Sequence, residues 1–396
     1  MKIGGIISYP RIILGGFLAL TVLAMMNSSY SYLLDAIKSD LSLNYTQSGA
    51  LMSAYFIGYT LGQIPWGVLA DRYGSRRIIS ISILGVSVFT GLFGYSTNFF
   101  VAFATRFLSG LLGAGVFVPV VRLISGWYNS NERGTALGIM NIGGSVGLIL
   151  VTWMSPLLAA AFNWRISIGI QCIFGVTLST LIWLSIRDGN ISKNNSRSKI
   201  VLAFRQRSFW ILALAQFIRL GSYYTFLAWL PLMLKEDYSL GVVAVGGAMS
   251  LFNMAGMVSN PVGGILADKI GEKPVILFSF LLLSLSVSAY IFIPNSGLLF
   301  LETFLLGWFI NFVRSPSFTI IPRLFGPETA GSLSGFHNTF ASFGALVLPL
   351  VLGVVKDSTA SYSIGWIILI ILLLISAILL ATVRTSVKSD SLLSSG

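Results

Sequence analysis

Two stretches of the chain are nearly alike: GVLADRYGSRR at Gly67–Arg77 and GILADKIGEKP at Gly264–Pro274. Each follows a long apolar run, and a shift of 197 residues superposes the first stretch on the second. The same shift superposes Gly110 on Gly307, Pro119 on Pro316, Asn141 on Asn338 and Ser145 on Ser342. One constant offset over this much sequence indicates an internal duplication.

The composition places both copies in a membrane. Hydrophobic residues make up 55% of the 396 residues and charged residues 10%, and the mean hydropathy is +0.85. A soluble domain carries about 25% charged residues because water must wet its surface, so a soluble fold is excluded. Apolar runs long enough to span a bilayer, about 20 residues each, recur twelve times. We therefore predict an all-α membrane protein with twelve transmembrane helices.

The longest polar connection, residues 187–207, divides the twelve predicted helices into two sets of six. It is basic and too short for a folded domain, which is typical of a flexible tether. Because each set has an even number of helices, both sets enter the membrane from the same side as parallel repeats. We predict an N-terminal six-helix bundle at 1–186, a cytoplasmic linker at 187–207, and a C-terminal six-helix bundle with a short cytoplasmic tail at 208–396.

The formal net charge is +12. The basic residues are distributed as a membrane topology requires, and they do not form a surface for nucleic acid. Lys and Arg cluster in alternate connections, at 72–77, 187–207 and 269–273. The connections of the other parity hold only Lys38, Arg165, Lys235 and Lys356. Basic loops stay in the cytoplasm, so we predict a multi-pass protein of the cell inner (plasma) membrane with both termini cytoplasmic. The same distribution predicts no nucleic-acid partner.

The repeated loop and two shorter motifs resemble the major facilitator superfamily. GVLADRYGSRR and its echo resemble the signature loops that follow helices 2 and 8 of that family. RFLSG, from Arg106 to Gly110, and ERGTALG, from Glu132 to Gly138, resemble further family motifs. The resemblance covers essentially the whole chain. It implies that two six-helix halves rock about a central substrate site, by alternating access.

The resemblance also implies that the signature loops form a cytoplasmic gate, which latches the two halves together in the outward-open state. The gate residues are then Gly67, Asp71, Arg72, Gly74, Arg76, Arg77 and Asp268. We expect Gly67 to allow a close helix approach and Gly74 to permit a tight turn. The arginines offer charge-assisted partners to Asp71. The alternative is that the basic residues only hold the loop inside the cell.

Charges within the apolar runs are informative because they are costly in hydrocarbon and usually functional. The set consists of Arg106, Arg122, Arg219, Arg314, Glu302 and His337. Arg122 lies near a helix end and can extend its side chain to the interface. The remaining excess of positive charge predicts an anionic substrate.

Arg219 lies near the middle of its run and is the first candidate ligand. IRLGSYYTFLAWLP, at Ile218–Pro231, resembles helix 7 of organic-anion members of the superfamily. The resemblance implies that Arg219 contacts the substrate anion, and a structural ion pair is the alternative. The other predicted substrate-binding residues are Arg106, Arg314, Tyr223, Tyr32 and Asn338.

The resemblance leaves the coupling mechanism open. In the organic-anion carriers a proton-handling glutamate follows the helix 4 arginine by seven residues, and here that position is Gly113. If protons drive transport, the candidate titrating groups are Glu302 and His337. The alternatives are a salt bridge for Glu302 and a packing role for His337.

These observations predict a secondary active transporter of a small organic anion, a carboxylate or sugar acid, by proton-coupled symport. A carrier or exporter of neutral or cationic compounds, with structural arginines, is the first alternative. A transporter-like membrane receptor ranks lower, since only twelve residues follow Arg384. We find no metal-ligand cluster, cofactor motif or nucleophile–base constellation at credible spacing, so no enzyme and no cofactor are expected. The expected partners are the anion, protons and the lipid bilayer, and the expected state is a monomer.

Overall fold

The computed structural model describes residues 9–128, 130–188, 204–292, 297–325 and 330–383. Within these ranges the chain forms thirteen α-helices and no strand. They are α1 Pro10–Asp40, α2 Tyr45–Tyr73, α3 Ser75–Phe93, α4 Phe99–Trp127, α5 Ser130–Ala161, α6 Trp164–Ser185, α7 Arg207–Glu236, α8 Val242–Ile270, α9 Glu272–Phe292, α10 Leu299–Phe312, α11 Arg314–Phe325, α12 Ala330–Thr359 and α13 Ser363–Ala381. The predicted all-α fold is confirmed.

Eleven stretches of the described helices are long and apolar enough to cross a membrane. This number counts α10 and α11 as one stretch, Leu299–Phe325. The remaining long helix, α2, has 29 residues, which corresponds to about 44 Å, and it packs against the spanning helices α4 and α12. We count α2 as the twelfth span.

The tenth predicted span is broken rather than continuous. Helix α10 ends at Phe312 and α11 begins at Arg314. Pro316 follows two residues later and has no N–H to donate to the carbonyl of Phe312, four residues back, so the helical hydrogen-bond ladder is interrupted there. The break places Arg314 at the first position of a new helix.

Asparagine side chains cap the N-termini of three helices of the first half, at the same end of the bundle. Asn44, Asn98 and Asn163 each accept a hydrogen bond from the backbone N–H three residues later, at 2.7, 3.0 and 2.8 Å. These bonds satisfy N–H groups that lack a partner within their own helix. They fix where α2, α4 and α6 begin.

The two signature loops turn in the same way in both halves. Gly74 has a φ of +88° and Gly271 a φ of +91°. Residues other than glycine rarely adopt this region of backbone conformation. The tight turn predicted at Gly74 is therefore present, and its copy repeats it.

A second matched pair of glycines shows that the duplication extends to helix packing. A Cβ on Gly110 would overlap the backbone carbonyl of Tyr55, and a Cβ on Gly307 would overlap that of Phe252. Tyr55 and Phe252 are separated by the same 197 residues as the two glycines. The α2–α4 crossing thus recurs as the α8–α10 crossing.

Helices α1–α6 form one half of the bundle and α7–α13 the other. In the first half α1 packs against α5 and α2 against α4, and in the second α7 packs against α12 and α8 against α10. The halves meet mainly where α2 packs against α12 and α5 packs against α8, with a smaller contact of α1 with α7. A cavity remains between them.

Candidate functional site

The central cavity lies between the two halves and has a volume of about 630 Å³. Seven helices of both halves, together with α10 and α11, contribute to its wall. The polar wall residues include Asn27, Asn141, Ser145, Asn253, Asn260, Asn311, Asn338 and Ser342. The pair Asn141 and Ser145 and its repeat copy Asn338 and Ser342 therefore face the same space from opposite halves.

Arg219 lies on the wall of this cavity and is held by neutral groups. Its side chain is only 4% exposed. Its Nε donates to Oε1 of Gln216 at 2.7 Å, and Nε2 of Gln216 donates to the carbonyl oxygen of Ser317 at 3.3 Å. These bonds orient the guanidinium group and leave its positive charge uncompensated.

Arg314 contributes a second positive charge to the same wall. It is half-buried at the start of α11. Among the described residues no Asp or Glu lines the cavity, and none pairs with Arg219 or Arg314. Burying an unpaired charge is costly, and a bound anion would relieve that cost.

Three further predicted ligands lie at or next to the cavity. Tyr223 and Asn338 are on its wall. Tyr32 lies behind the wall residue Asn253, whose Nδ2 donates to the Tyr32 hydroxyl at 3.2 Å. This bond crosses from one half to the other.

Asn27 forms a second such link across the cavity. Its Nδ2 donates to the hydroxyl of Tyr224 at 3.1 Å, so α1 is connected to α7 as well as to α8. The amides of the cavity wall thus take part in contacts between the halves.

Arg106 is not on the cavity wall. It is 2% exposed, and its guanidinium carbon lies 4.9 Å from the ring centres of both Tyr30 and Tyr55. Its Nε donates to the carbonyl oxygen of Leu51 at 3.3 Å. Since Tyr55 itself lines the cavity, Arg106 lies behind this ring, and the structure does not bring Arg106 onto the wall with Arg219 and Arg314.

Glu302 and His337, the predicted proton-coupling candidates, also lie outside the cavity wall. Glu302 is buried in the first turn of α10, and its carboxylate has no hydrogen-bond partner among the described residues. The salt bridge that we considered as the alternative role of Glu302 is therefore not formed among the described residues. His337 is fully buried, with its ring 4.6 Å from that of Phe209 and no described partner for either nitrogen, which agrees with a packing role.

One end of the bundle is closed by polar contacts between the halves, which we call the inter-half clasp. The clasp consists of Asp35, Lys38, Tyr45, Lys235, Glu236, Lys356, Asp357 and Tyr362. Glu236 is its centre, because its carboxylate accepts from the hydroxyls of Tyr45 at 3.0 Å and Tyr362 at 2.9 Å. Nζ of Lys38 lies 3.5 Å from the same carboxylate.

Asp357 of the second half completes the first turn of α2 in the first half. Its Oδ1 accepts from the backbone N–H of Tyr45 at 2.9 Å and its Oδ2 from that of Thr46 at 2.6 Å. The neighbouring N–H groups are satisfied by the capping box of Asn44 and Gln47. A carboxylate is favoured at a helix N-terminus, so this contact binds the two halves together.

The clasp is the part of the molecule that sequence reasoning missed. All four basic residues in the connections of minority parity are paired, in the ion pairs Lys38–Glu236, Arg165–Asp40, Lys235–Asp35 and Lys356–Asp237. Each has an acidic partner within or beside the same set of connections. In the sequence, the presence of an acidic residue near each of these four basic residues is the signal that could have indicated the clasp.

Glycines compare the packing at the clasp end with that on the cavity wall. At the clasp end a Cβ on Gly49 would lie 3.0 Å from the backbone of Leu350, and one on Gly353 would lie 2.5 Å from the carbonyl oxygen of Tyr45. On the cavity wall a Cβ on Gly138 or Gly144 would meet no described atom within 4 Å. Among the described residues the halves are therefore in close contact on the clasp side, and nothing lies over Gly138 and Gly144 on the cavity wall; we call the end opposite the clasp the open end.

The predicted gate residues lie at this open end and do not join the halves in the described part of the structure. Nε of Arg76 donates to the carbonyl oxygen of Trp183 at 2.9 Å, within its own half. Arg72, Arg77 and Asp268 are exposed, and the side chain of Asp71 lies outside the described residues. The close approach expected at Gly67 is also not formed, since a Cβ there would meet no described atom within 4 Å. Among the described residues, no atom of a neighbouring helix lies beside Gly67.

The described side chains include no group of three His, Cys, Asp or Glu that could hold a metal ion. The chemistry available to the cavity is therefore that of two guanidinium groups, amides, hydroxyls and aromatic rings.

Solved structures share this architecture. A bacterial homologue of the human lysosomal transporter Spinster, in an inward-facing and unoccupied conformation, superposes with a TM-score of 0.80 at 16% identity, covering 96% of this chain and 97% of that one. At that identity the likeness concerns the fold alone.

Among the curated relatives, the protein named "Probable galactarate/D-glucarate transporter GudP" of Bacillus subtilis is 27% identical and covers 83% of this chain and 81% of its own. The nitrite extrusion protein of the same organism is 26% identical, covering 85% of each chain. The hexuronate transporter of Bacillus subtilis is 23% identical, and the alignment covers 89% of each of the two chains.

The profile of one protein family matches nearly the whole chain. It is described as the Major Facilitator Superfamily, and it matches residues 16–261 and 212–395. The match confirms the predicted multi-pass membrane transporter and excludes the enzyme class. The chain belongs to the Major Facilitator Superfamily.

Proposed function

We propose that the chain is a secondary active transporter of a small organic anion, a carboxylate or sugar acid, which Arg219 and Arg314 bind between the halves. The observation that carries this proposal is the buried Arg219 and the half-buried Arg314 on a cavity wall with no acidic residue among its described members. The names of the relatives support it, because galactarate, nitrite and hexuronate are all anions.

The rest of the cavity suits a hydroxylated anion. A volume of about 630 Å³ lies within the ordinary range of small-molecule sites. Amides such as Asn141 and Asn338 and the hydroxyls of Tyr223 and Ser145 can exchange hydrogen bonds with hydroxyl groups of a sugar acid. These groups add orientation to the charge attraction of the arginines.

Transport proceeds by alternating access in this proposal. The positive loops orient the open end and both termini toward the cytoplasm, in an inner membrane, so that the clasp faces outward. The halves are 1–186 and 208–396, joined by the linker 187–207. The signature-loop residues, including Asp71 and Arg76, then latch the cytoplasmic side only when the clasp has opened.

Two modes of coupling remain candidates. Proton symport would need a titrating group such as Glu302 or His337, acting from outside the cavity wall. Anion exchange needs no titrating group, and it is favoured by the lack of any carboxylate or imidazole among the described wall residues.

The test is uptake of labelled carboxylates and sugar acids into proteoliposomes by the parent chain, Arg219→Gln and Arg219→Lys. Removing one partner of a buried, hydrogen-bonded charge contact costs about 2–5 kcal/mol, so Arg219→Gln should lower uptake at limiting substrate about thirtyfold or more. Arg219→Lys keeps the charge but loses the planar fork, and it should retain part of the uptake. Arg165→Gln, which changes an arginine at the clasp end, is the matched control.

The coupling modes separate in the same assay. Symport requires that an inward proton gradient drive accumulation, whereas exchange requires anion inside the vesicles beforehand. If no anion moves, or if Arg219→Gln transports as well as the parent, the proposal fails and a neutral or cationic substrate takes its place.

A further inference from the structure

A second cavity of about 760 Å³ lies on the outside of the second half, at the end opposite the clasp. It is bordered by α8, α9, α11 and α13 and opens toward the surroundings of the bundle. Its wall is apolar, and Phe278, Leu281 and Ile378 are 62%, 47% and 66% exposed. Exposed apolar side chains on a bundle of membrane-spanning helices are suited to contact with lipid, so we interpret the cavity as a groove in the membrane-facing surface.

The mouth of the groove is polar and carries a surplus of positive charge. Nη1 of Arg323 donates to Oε2 of Glu272 at 2.8 Å, and the Arg323 side chain is still 50% exposed. Nζ of Lys273 donates to the carbonyl oxygens of Ala381 and Val383 at 2.7 Å each. Within the described residues no carboxylate pairs with Lys273, so the mouth has a net charge of one positive unit.

The duplication shows that the groove is not a necessary result of the fold. The 197-residue shift relates Lys273 to Arg76. In the first half the guanidinium of Arg76 lies 4.1 Å from the ring centre of Trp183, and its backbone N–H donates to Asp188 at 2.9 Å. The residue that corresponds to Trp183 is Leu380. A large aromatic ring therefore covers the basic residue in one half, and the other half has no counterpart to it.

We propose that this groove binds an anionic phospholipid. Lys273 and the exposed face of Arg323 bind the phosphate, and an acyl chain lies along Phe278, Leu281 and Ile378. Basic pockets between transmembrane helices on the cytoplasmic side are suited to anionic headgroups. The apolar wall below the mouth supplies the contact that a free phosphate ion lacks. The proposal does not depend on which substrate the central cavity carries.

The competing occupant is the chain itself. Residues 384–396 follow Val383, which lies at the mouth, and they lie outside the described residues. If they fill the groove, phospholipid must compete with them.

The experiment is native mass spectrometry of the full-length protein, stripped of lipid and titrated with phosphatidylglycerol or phosphatidylcholine. The variants are Lys273→Gln, which removes the surplus charge, and Ile378→Trp, which fills the groove. Lys269→Gln removes an exposed charge at the same end that does not line the groove, and it is the matched control. Ile378→Trp keeps every charge, so it tests the groove even if Lys273→Gln does not fold.

We expect the parent chain to retain phosphatidylglycerol in preference to phosphatidylcholine, and Lys273→Gln to reduce this retention about fivefold. Ile378→Trp should abolish the tightest-bound copy, and Lys269→Gln should leave retention unchanged. Equal retention of the two lipids, or equal losses in Lys273→Gln and Lys269→Gln, would overturn the proposal. So would phosphatidylglycerol retention that begins only after residues 384–396 are removed, because the tail would then be the occupant.

Discussion

Replacing Asp357 with asparagine should open the clasp end of the bundle. Its carboxylate makes two hydrogen bonds to the start of α2, at 2.9 and 2.6 Å. A hydrogen bond to a charged group contributes about 1.5–3 kcal/mol, and the charge at a helix N-terminus about 0.3–1 kcal/mol more. Asparagine keeps one acceptor oxygen and loses the charge, so the expected loss is about 2 kcal/mol. That loss shifts the balance between closed and open forms about thirtyfold toward the open form.

The shift can be measured as a distance between two spin labels on opposite halves. Suitable sites are Tyr95→Cys, at a position 81% exposed, and Val243→Cys, at one 66% exposed. Cys172 is the only native cysteine and is first changed to serine. Double electron–electron resonance should show a short distance in the parent and a longer population in Asp357→Asn.

The matched control is Asp40→Asn. Asp40 is a carboxylate at the same end, but its partners Arg165 and Trp164 belong to its own half, at 2.6 and 3.1 Å. Its loss should leave the label distance unchanged. An unchanged distance in Asp357→Asn, or an equal change in both variants, would contradict the role given to the α2 contact.

Three further outcomes are expected. Gly110→Ala should destabilise the protein by about 1–3 kcal/mol, because its Cβ would overlap a backbone carbonyl; Gly144→Ala, with no described atom within 4 Å of its Cβ, should not, and thermal unfolding in detergent distinguishes them. His337→Leu should keep both uptake and its response to a proton gradient, since the ring packs against Phe209; loss of the gradient response alone would restore a coupling role. Partial burial raises the pKa of Asp237 above its ordinary value, with Lys356 opposing and Glu236 adding to the shift. A proton then binds to Asp237, beside Glu236 of the clasp, more tightly when the clasp is closed than when it is open and hydrated, so lowering the pH on that side should favour the closed form. Asp237→Asn should reduce that dependence in the label distances.

The fold was predictable because lipid imposes a simple rule on sequence. Every span must be apolar over about 20 residues, and the 197-residue offset revealed the duplication without any structural knowledge. The break between α10 and α11 was harder to predict from the sequence. A hydropathy average includes Pro316 with its neighbours and does not depend on the loss of one backbone hydrogen bond.

The site was predictable only in part, because sequence gives depth in the membrane but not direction around a helix. Arg219 and Arg314 were singled out by the cost of charge in hydrocarbon, and both line the cavity. The same reasoning selected Arg106, which points instead between Tyr30 and Tyr55. Contacts such as that of Asp357 with Tyr45 join positions more than three hundred residues apart, and no local sequence pattern predicts them.

The capping of α2 by Asp357 also bears on how the protein is made. The N–H groups of Tyr45 and Thr46 enter the membrane interface early in synthesis, and their partner is translated more than three hundred residues later. Until α12 is inserted, the start of α2 must be hydrated or held by other groups. The first half therefore completes its insertion with one helix end unfinished, and α12, which is inserted later, completes it.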